Sequence, residues 1–205
     1  MKQFPTFLKA LLWAGFLGAA SPVLAQKTSD SLPLRLTLFS ESTSIPFADG
    51  LVTQPLHPGV SIGTEWALKR RSTSRLVQGL TAGYYHHKEV AQGLFLGTDF
   101  RYERQLPLSL YASIGLGIGY LHTFRTQDEF RLEEGRYVLK KDRGTPHVLL
   151  SVPLEIGFRL RPDSPRSPRI FGQYQPWIEY PFSPDFIPLM THTNLAVGYQ
   201  FFPFR

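Results

Sequence analysis

Hydrophobic and polar positions alternate with a period of two along most of the chain after residue 26. Val60, Ile62, Trp66 and Leu68 alternate with Ser61, Gly63, Glu65 and Lys69, and Leu94, Leu96, Phe100 and Tyr102 with Gly93, Gly97, Asp99, Arg101 and Glu103. The longest run sets Leu108, Leu110, Ala112, Ile114, Leu116, Ile118 and Tyr120 against Ser109, Ser113, Gly115, Gly117 and Gly119. Val148, Leu150, Val152, Leu154, Ile156 and Phe158 oppose Ser151, Glu155 and Arg159; Leu195, Val197, Tyr199 and Phe201 oppose Asn194, Gly198 and Gln200. A strand turns successive side chains to opposite faces, so this period predicts strands with one apolar and one polar face. Weaker runs at 32–40, 76–86 and 169–180 bring the expected strands to eight. Several reach the 9–11 residues with which a tilted strand crosses a bilayer. No helical period competes.

The connections alternate in length. Segments 41–55 and 123–147 are long, whereas 70–74, 87–89, 104–107, 161–168 and 182–184 are shorter. With the start of the mature chain on the periplasmic side, both long connections fall outside the cell, the asymmetry of outer-membrane barrels. The expected fold is therefore all-β: an eight-stranded antiparallel up-and-down transmembrane β-barrel. A soluble periplasmic, lipocalin-like carrier has the same period with its apolar face turned inward. Two features favour the membrane form. The polar face is rich in glycine, serine and scattered charge, which suits a narrow packed lumen. Aromatics also stand towards strand ends on the apolar face (Trp66, Tyr84, Tyr102, Tyr120, Phe158, Tyr180, Tyr199, Phe201), as interfacial girdles do.

The N-terminus adds an address. Lys2 and Lys9 precede or open a short apolar stretch, and Val23-Leu24-Ala25 is a small-residue cleavage pattern. Residues 1–25 are expected to be a signal peptide cut between Ala25 and Gln26, leaving 26–205 as one barrel domain. The stretch is short for a membrane helix and is broken by Pro22. The chain has no cysteine, so it has no lipoprotein anchor, disulfide or thiolate metal site. Of the net charge of +6, Lys2 and Lys9 supply two. The modest remaining excess makes nucleic acid a poor partner and anionic lipid a better one.

The terminal strand Thr193-Asn194-Leu195-Ala196-Val197-Gly198-Tyr199-Gln200-Phe201-Phe202 resembles the C-terminal signal read by barrel-insertion machinery, with Gly198, Tyr199, Phe201 and Phe202 as its marks. Pro203-Phe204-Arg205 follow it, a small departure. With the signal peptide, the chain resembles the small outer-membrane β-barrel superfamily of Gram-negative bacteria. The stretches His57-Pro58-Gly59-Val60-Ser61-Ile62-Gly63-Thr64-Glu65 and Gly117-Ile118-Gly119-Tyr120-Leu121-His122-Thr123-Phe124 are similar to small barrels of Bacteroidota type. The resemblance implies outer-membrane location and fold, with lipids, lipopolysaccharide and the insertion machinery as partners; it implies no activity and no cofactor.

The chemistry on the polar face is structural first. Arg35, Glu65, Asp99, Arg101, Glu103, Glu155, Arg159 and Glu179, with Gln173, Gln175 and Asn194, are expected in the lumen. Opposite charges there should pair, because a lone buried charge costs several kcal/mol. Eight strands leave an interior that side chains fill, so a polar core is expected rather than a pore. The six histidines gather towards one end of the barrel. His57, His86, His122 and His192 are candidates for an outer-mouth site, for metal or for protons, because imidazole serves both. No spacing specifies metal ligands or catalytic residues.

Pro153 and Pro176 fall inside neighbouring strands, where proline cannot donate to the ladder. They mark local bulges or a lateral gap through which a lipid chain could enter. The gap would suit a lipid-modifying enzyme, transferring or removing acyl chains of lipid A, with His192 near a hydroxyl. Within 123–147, Phe130 and Leu132 lead to a turn at Glu134-Gly135 and Tyr137 and Leu139 lead away, predicting a protruding hairpin. Lys69, Arg70, Arg71 and Arg75 flank one short connection and Arg159, Arg161, Arg166 and Arg169 another, where they could meet lipid head groups. The functional expectation is a non-enzymatic, monomeric outer-membrane barrel with a structural or surface-interaction role through its outer loops. The lipid-modifying enzyme and the soluble carrier are the alternatives.

Overall fold

The computed structural model describes residues 32–47, 55–88, 90–128, 130–133, 135–139, 141–161, 163–164, 166–183 and 187–203. The expected cleavage point at Ala25 and Gln26 lies outside them. The described strands are β1 (Leu34–Ser42), β2 (His57–Arg70), β3 (Ser74–His86), β4 (Gln92–Gln105), β5 (Leu110–Phe124), β6 (Phe130–Glu133), β7 (Arg136–Leu139), β8 (Thr145–Ser151), β9 (Leu154–Arg159), β10 (Arg169–Tyr180) and β11 (Met190–Phe201). Neighbours pair antiparallel, and β1 pairs with β11 from Leu34 opposite Phe201 to Ser42 opposite Thr193, which closes the ring. β8 and β9 both lie between β5 and β10, so they are two halves of one barrel strand. The result is an eight-stranded up-and-down antiparallel barrel.

The apolar row faces outward. Ile114, Leu116 and Ile118 are 53 %, 69 % and 48 % exposed, while Ser113 and Gly115, in the opposite phase, are buried. Leu38, Ile62, Leu94, Phe100, Ile156 and Val197 share the outer face. A carrier of the lipocalin type needs the opposite arrangement, with the apolar side around the lumen. Exposed aromatics form two belts on this surface. Tyr84, Tyr120 and Tyr180 stand near the ends of strands away from the chain termini, and Tyr102, Phe158 and Tyr199 near the other end. Leu76 stands opposite Tyr102, and Tyr84 lies eight positions further along β3. At about 3.3 Å per residue the belts are roughly 26 Å apart along the strand, comparable, before tilt, with the roughly 25 Å apolar band of a membrane barrel.

Inside, glycines make room for rings. Five aromatic side chains lie across the glycine directly opposite on the next strand: Phe39 on Gly59, Phe95 on Gly83, Tyr85 on Gly93, Tyr111 on Gly157 and Phe171 on Gly198. A Cβ at Gly93 would stand 2.6 Å from the Tyr85 ring, closer than packed atoms approach. Such pairs let a narrow barrel bury large side chains and hold the register.

The two prolines interrupt bonding without shifting register. Trp177 pairs with Ser151 and Tyr174 with Leu154, so Pro176 stands opposite Val152 and Gln175 opposite Pro153 with no inserted residue. Val152 N–H donates to the Pro176 carbonyl at 2.9 Å, and Gly115 N–H to the Pro153 carbonyl at 3.0 Å. The reciprocal bonds of these narrow pairs are missing because proline has no N–H. The site expected to be a bulge or a lateral gap is thus an unbulged ladder with two bonds missing.

The start of the longest run differs from the sequence expectation, and the expected hairpin is present. Leu108 is in a turn, 83 % exposed with φ of 60°, because Pro107 ends the preceding segment and Leu106 N–H closes the turn on the Leu110 carbonyl at 2.9 Å. The protruding hairpin is present as a separate two-stranded sheet, β6 with β7, turning at Gly135 with φ of 76°. Glu134, the other expected turn residue, lies outside the described residues.

Candidate functional site

The strand period fixes what enters the lumen, and the lumen divides into three layers. Nearest the chain termini is an ion-pair lattice. Glu65 accepts from Arg35 at 3.2 Å, Arg75 at 2.7 Å, Arg101 at 2.7 Å and Gln200 Nε2 at 3.2 Å. Glu155 accepts from Arg35 at 2.5 Å, Arg101 at 3.2 Å and Tyr111 Oη at 2.9 Å. Asp99 holds Arg101 Nε at 2.6 Å, and Glu103 binds Arg75 at 2.6 Å and Arg169 at 2.9 Å. Four guanidinium groups thus meet four carboxylates. Arg35 also lies over the Phe171 ring, 4.0 Å from its centroid. Glu65, Glu155, Arg35 and Arg101 each keep three or more partners, the condition under which a buried ion pair repays its desolvation, whereas Arg169 Nε and Glu103 Oε1 have no hydrogen-bond partner among the described residues.

Of the expected lumen residues, Arg35, Glu65, Asp99, Arg101, Glu103 and Glu155 converge here. Arg159 is half-buried beside Arg169, its register partner, and its Nε has no hydrogen-bond partner among the described residues. Arg75 and Arg169 were expected at the turns; instead both are drawn inward to Glu103. Their inward phase, shared with Val77 and Phe171, was the available signal, and nearby surface arginines masked it.

The middle layer is apolar and largely aromatic: Phe39, Tyr85, Leu121, Leu149 and Trp177, with Phe95 and Ala196 against them. Trp177 Nε1 donates to Asn194 Oδ1 at 3.1 Å. A cavity of about 80 Å³ lies among Thr37, Asp99, Ser151, Gln173 and Trp177. Such a space suits a few waters and is far below the roughly 300 Å³ of a small-molecule pocket.

The third layer, at the end away from the termini, is a histidine–carboxylate chain. His87 Nδ1 lies 2.5 Å from Glu41 Oε2, and His192 Nδ1 2.7 Å from Glu41 Oε1. His192 Nε2 stands 3.3 Å from Glu179 Oε2 at ion-pair distance without hydrogen-bond alignment. His147 Nδ1 is 2.9 Å from Glu179 Oε1 and 2.7 Å from the Pro181 carbonyl, while its Nε2 is 2.8 Å from Thr123 Oγ1. His57 stacks on His87 at 3.4 Å, and its Nδ1 is 3.2 Å from the Glu41 carbonyl oxygen. Trp177 stacks on His192 at 3.9 Å, joining this layer to the aromatic one.

The structure brings together two of the four expected outer-mouth histidines, His57 and His192. His86 is exposed on the outer face. His122 packs on Tyr120 and Phe124, with Nδ1 2.8 Å from Tyr120 Oη. Their places are taken by His87 and His147, and Glu179 belongs to this layer rather than to the ion lattice. Glu41, His87 and His147 all continue the inward phase of their strands past the points at which the sequence expectation ended or began them.

No family model and no curated protein matches the chain. Among solved structures it is similar to Neisserial surface protein A, at 12 % identity over 83 % of this chain and 95 % of that one, with a TM-score of 0.47. It is also similar to the outer membrane enzyme PagL, at 12 % identity over 82 % and 98 % with a TM-score of 0.48. The N-terminal β-barrel domain of Pseudomonas aeruginosa OprF is alike at 15 % identity over 82 % and 97 %, with a TM-score of 0.43.

Proposed function

We propose that the chain is an integral outer-membrane barrel with no open channel, acting as a structural component and through its rim away from the termini. The observation that carries this reading is the inversion of polarity: an apolar, aromatic-belted exterior around a lumen closed by ion pairs. Water is a poor surrounding for Leu116 and its row, and a bilayer a good one. The rim carries β6 and β7, whose Phe130, Leu132, Tyr137 and Leu139 are all more than half exposed and form cross-strand pairs. Outer-leaflet lipids and lipopolysaccharide are the partners proposed for this surface. The chain acts as a monomer, since its ring closes on itself and leaves no unpaired barrel edge.

The test is protease treatment of intact Gram-negative cells expressing the protein. Cleavage within 130–139, with the barrel recovered from the outer-membrane fraction, is expected. Cleavage only after permeabilisation would place this rim in the periplasm, and recovery in the soluble fraction would overturn the membrane reading.

One observation favours a second reading, a lipid-modifying hydrolase. Thr123 Oγ1, His147 and Glu179 line up as hydroxyl, imidazole and carboxylate at 2.8 and 2.9 Å, the order in which a base activates a nucleophile. It differs from the expectation of His192 in that role. Loss of lipid A deacylation in Thr123→Ala would support it; unchanged lipid A on expression of the unaltered protein would dismiss it.

A further inference from the structure

Glu41, His57 and His87 are buried together at the rim, each with a ligand-capable atom within 4.8 Å of the others. They come from the end of β1, the start of β2 and the residue after β3, so three adjacent strands converge on one point. His57 Nδ1 faces the Glu41 carbonyl oxygen at 3.2 Å, and a carbonyl can only accept. That contact puts the ring proton on Nδ1 and leaves Nε2 with its lone pair. Nε2 is buried and has no hydrogen-bond partner among the described residues, on a residue only 7 % exposed. A buried acceptor with nothing to accept costs free energy unless it has another use. A histidine that donates one ring N–H to a backbone carbonyl and offers the other nitrogen is the usual form of a metal ligand.

We propose that Glu41, His57 and His87 bind a borderline divalent transition ion of the Zn²⁺ class, with water in the remaining position. Two imidazoles and a carboxylate are a donor set for Zn²⁺, whose bonds of about 2.0–2.1 Å join atoms near 3.4 Å apart in a tetrahedron. Binding therefore draws the three ligand atoms, now within 4.8 Å, closer together and tilts the His57 and His87 rings out of their 3.4 Å stack so that both in-plane lone pairs meet at the ion. His87 would ligate as neutral imidazole with its proton on Nε2, so that the ion stands where the proton between His87 Nδ1 and Glu41 Oε2 now lies. His192 acts as a positioning residue, since its Nδ1 lies 2.7 Å from Glu41 Oε1 and orients the carboxylate. Bound metal would tie β1, β2 and β3 together at their exposed ends. The proposal holds whether the barrel's exterior meets lipid or detergent, and so stands apart from the membrane reading.

The experiment is titration of untagged, folded protein with Zn²⁺ by calorimetry, and with Co²⁺ by visible absorption. One ion per chain with a dissociation constant of about 1 µM or below is expected, with tetrahedral-type Co²⁺ bands. His57→Ala and His87→Ala should each weaken binding about tenfold or more, and His86→Ala and His122→Ala should not. If an alanine variant fails to fold, Zn²⁺-dependent shifts of the His57 and His87 imidazole nitrogen signals, read by NMR in the unaltered protein, replace it. Absence of 1:1 binding would overturn the proposal. So would equal weakening by His86→Ala or His122→Ala, or His57 and His87 nitrogen signals unmoved by Zn²⁺.

Discussion

Gly198 of β11 stands directly opposite Phe171 of β10, and the Phe171 ring covers its inner face so closely that no side chain fits between them. Over that ring, 4.0 Å from its centroid, lies the Arg35 guanidinium, which holds Glu65 and Glu155. The glycine that resembles part of an insertion signal is therefore also the floor on which the lumen's ion lattice is built.

Gly198→Val should displace Phe171 and cost about 1–3 kcal/mol, the usual penalty of overpacking. Urea unfolding of the protein in detergent, followed by heat-modifiable gel migration, measures it. Because the two residues touch, Gly198→Ala and Phe171→Ala should not be additive. The double variant should be more stable than the sum of the singles predicts.

Glu65 is the centre of the lattice. Glu65→Ala leaves Arg35, Arg75 and Arg101 short of a carboxylate and should cost about 3–5 kcal/mol. A lower urea midpoint with an unchanged slope is the expected reading.

At Pro153 and Pro176 the ladder lacks donors that any other residue would supply. Pro153→Ala should gain a bond to the Gly115 carbonyl worth about 1 kcal/mol, partly offset by a freer unfolded chain. Slow exchange of the new amide, against that of Gly115, checks it. Fast exchange would mean the strands part there.

The loop before β8 is held by Asp142, whose carboxylate accepts from Arg125 N–H at 2.6 Å and Gly144 N–H at 2.8 Å. Its slight desolvation works against ionisation, but these donors prevail and hold the carboxyl below its usual range. Its contribution is therefore complete above the unfolded value of about 3.9 and is lost as pH falls through the lower folded value. An NMR titration of Asp142 should show that lowered midpoint. Asp142→Asn should speed tryptic cleavage after Lys141 and Arg143 at neutral pH.

The sequence made the ring legible because one rule, alternation, decides it. Ile114 and Ser113 differ by one position, and that step separates the outer face from the lumen. The site was half legible. His57 and His192 were visible as histidines of the mouth, but His87 looked like a turn residue although it continues the phase of Gly83 and Tyr85. Which inward residues stand level depends on strand stagger around the ring, and no single strand carries that information. Stagger is what sets Glu41 beside His192 and sends Glu179 to the histidines rather than to Arg101.

Nitroxide accessibility in bilayers reads whether the apolar row meets lipid. The chain has no cysteine, so each introduced one is a unique label. A label at Leu116→Cys should be accessible to oxygen and shielded from a water-soluble nickel chelate, whereas one at Leu132→Cys should be open to the chelate. Chelate access at residue 116 equal to that at residue 132 would contradict the account.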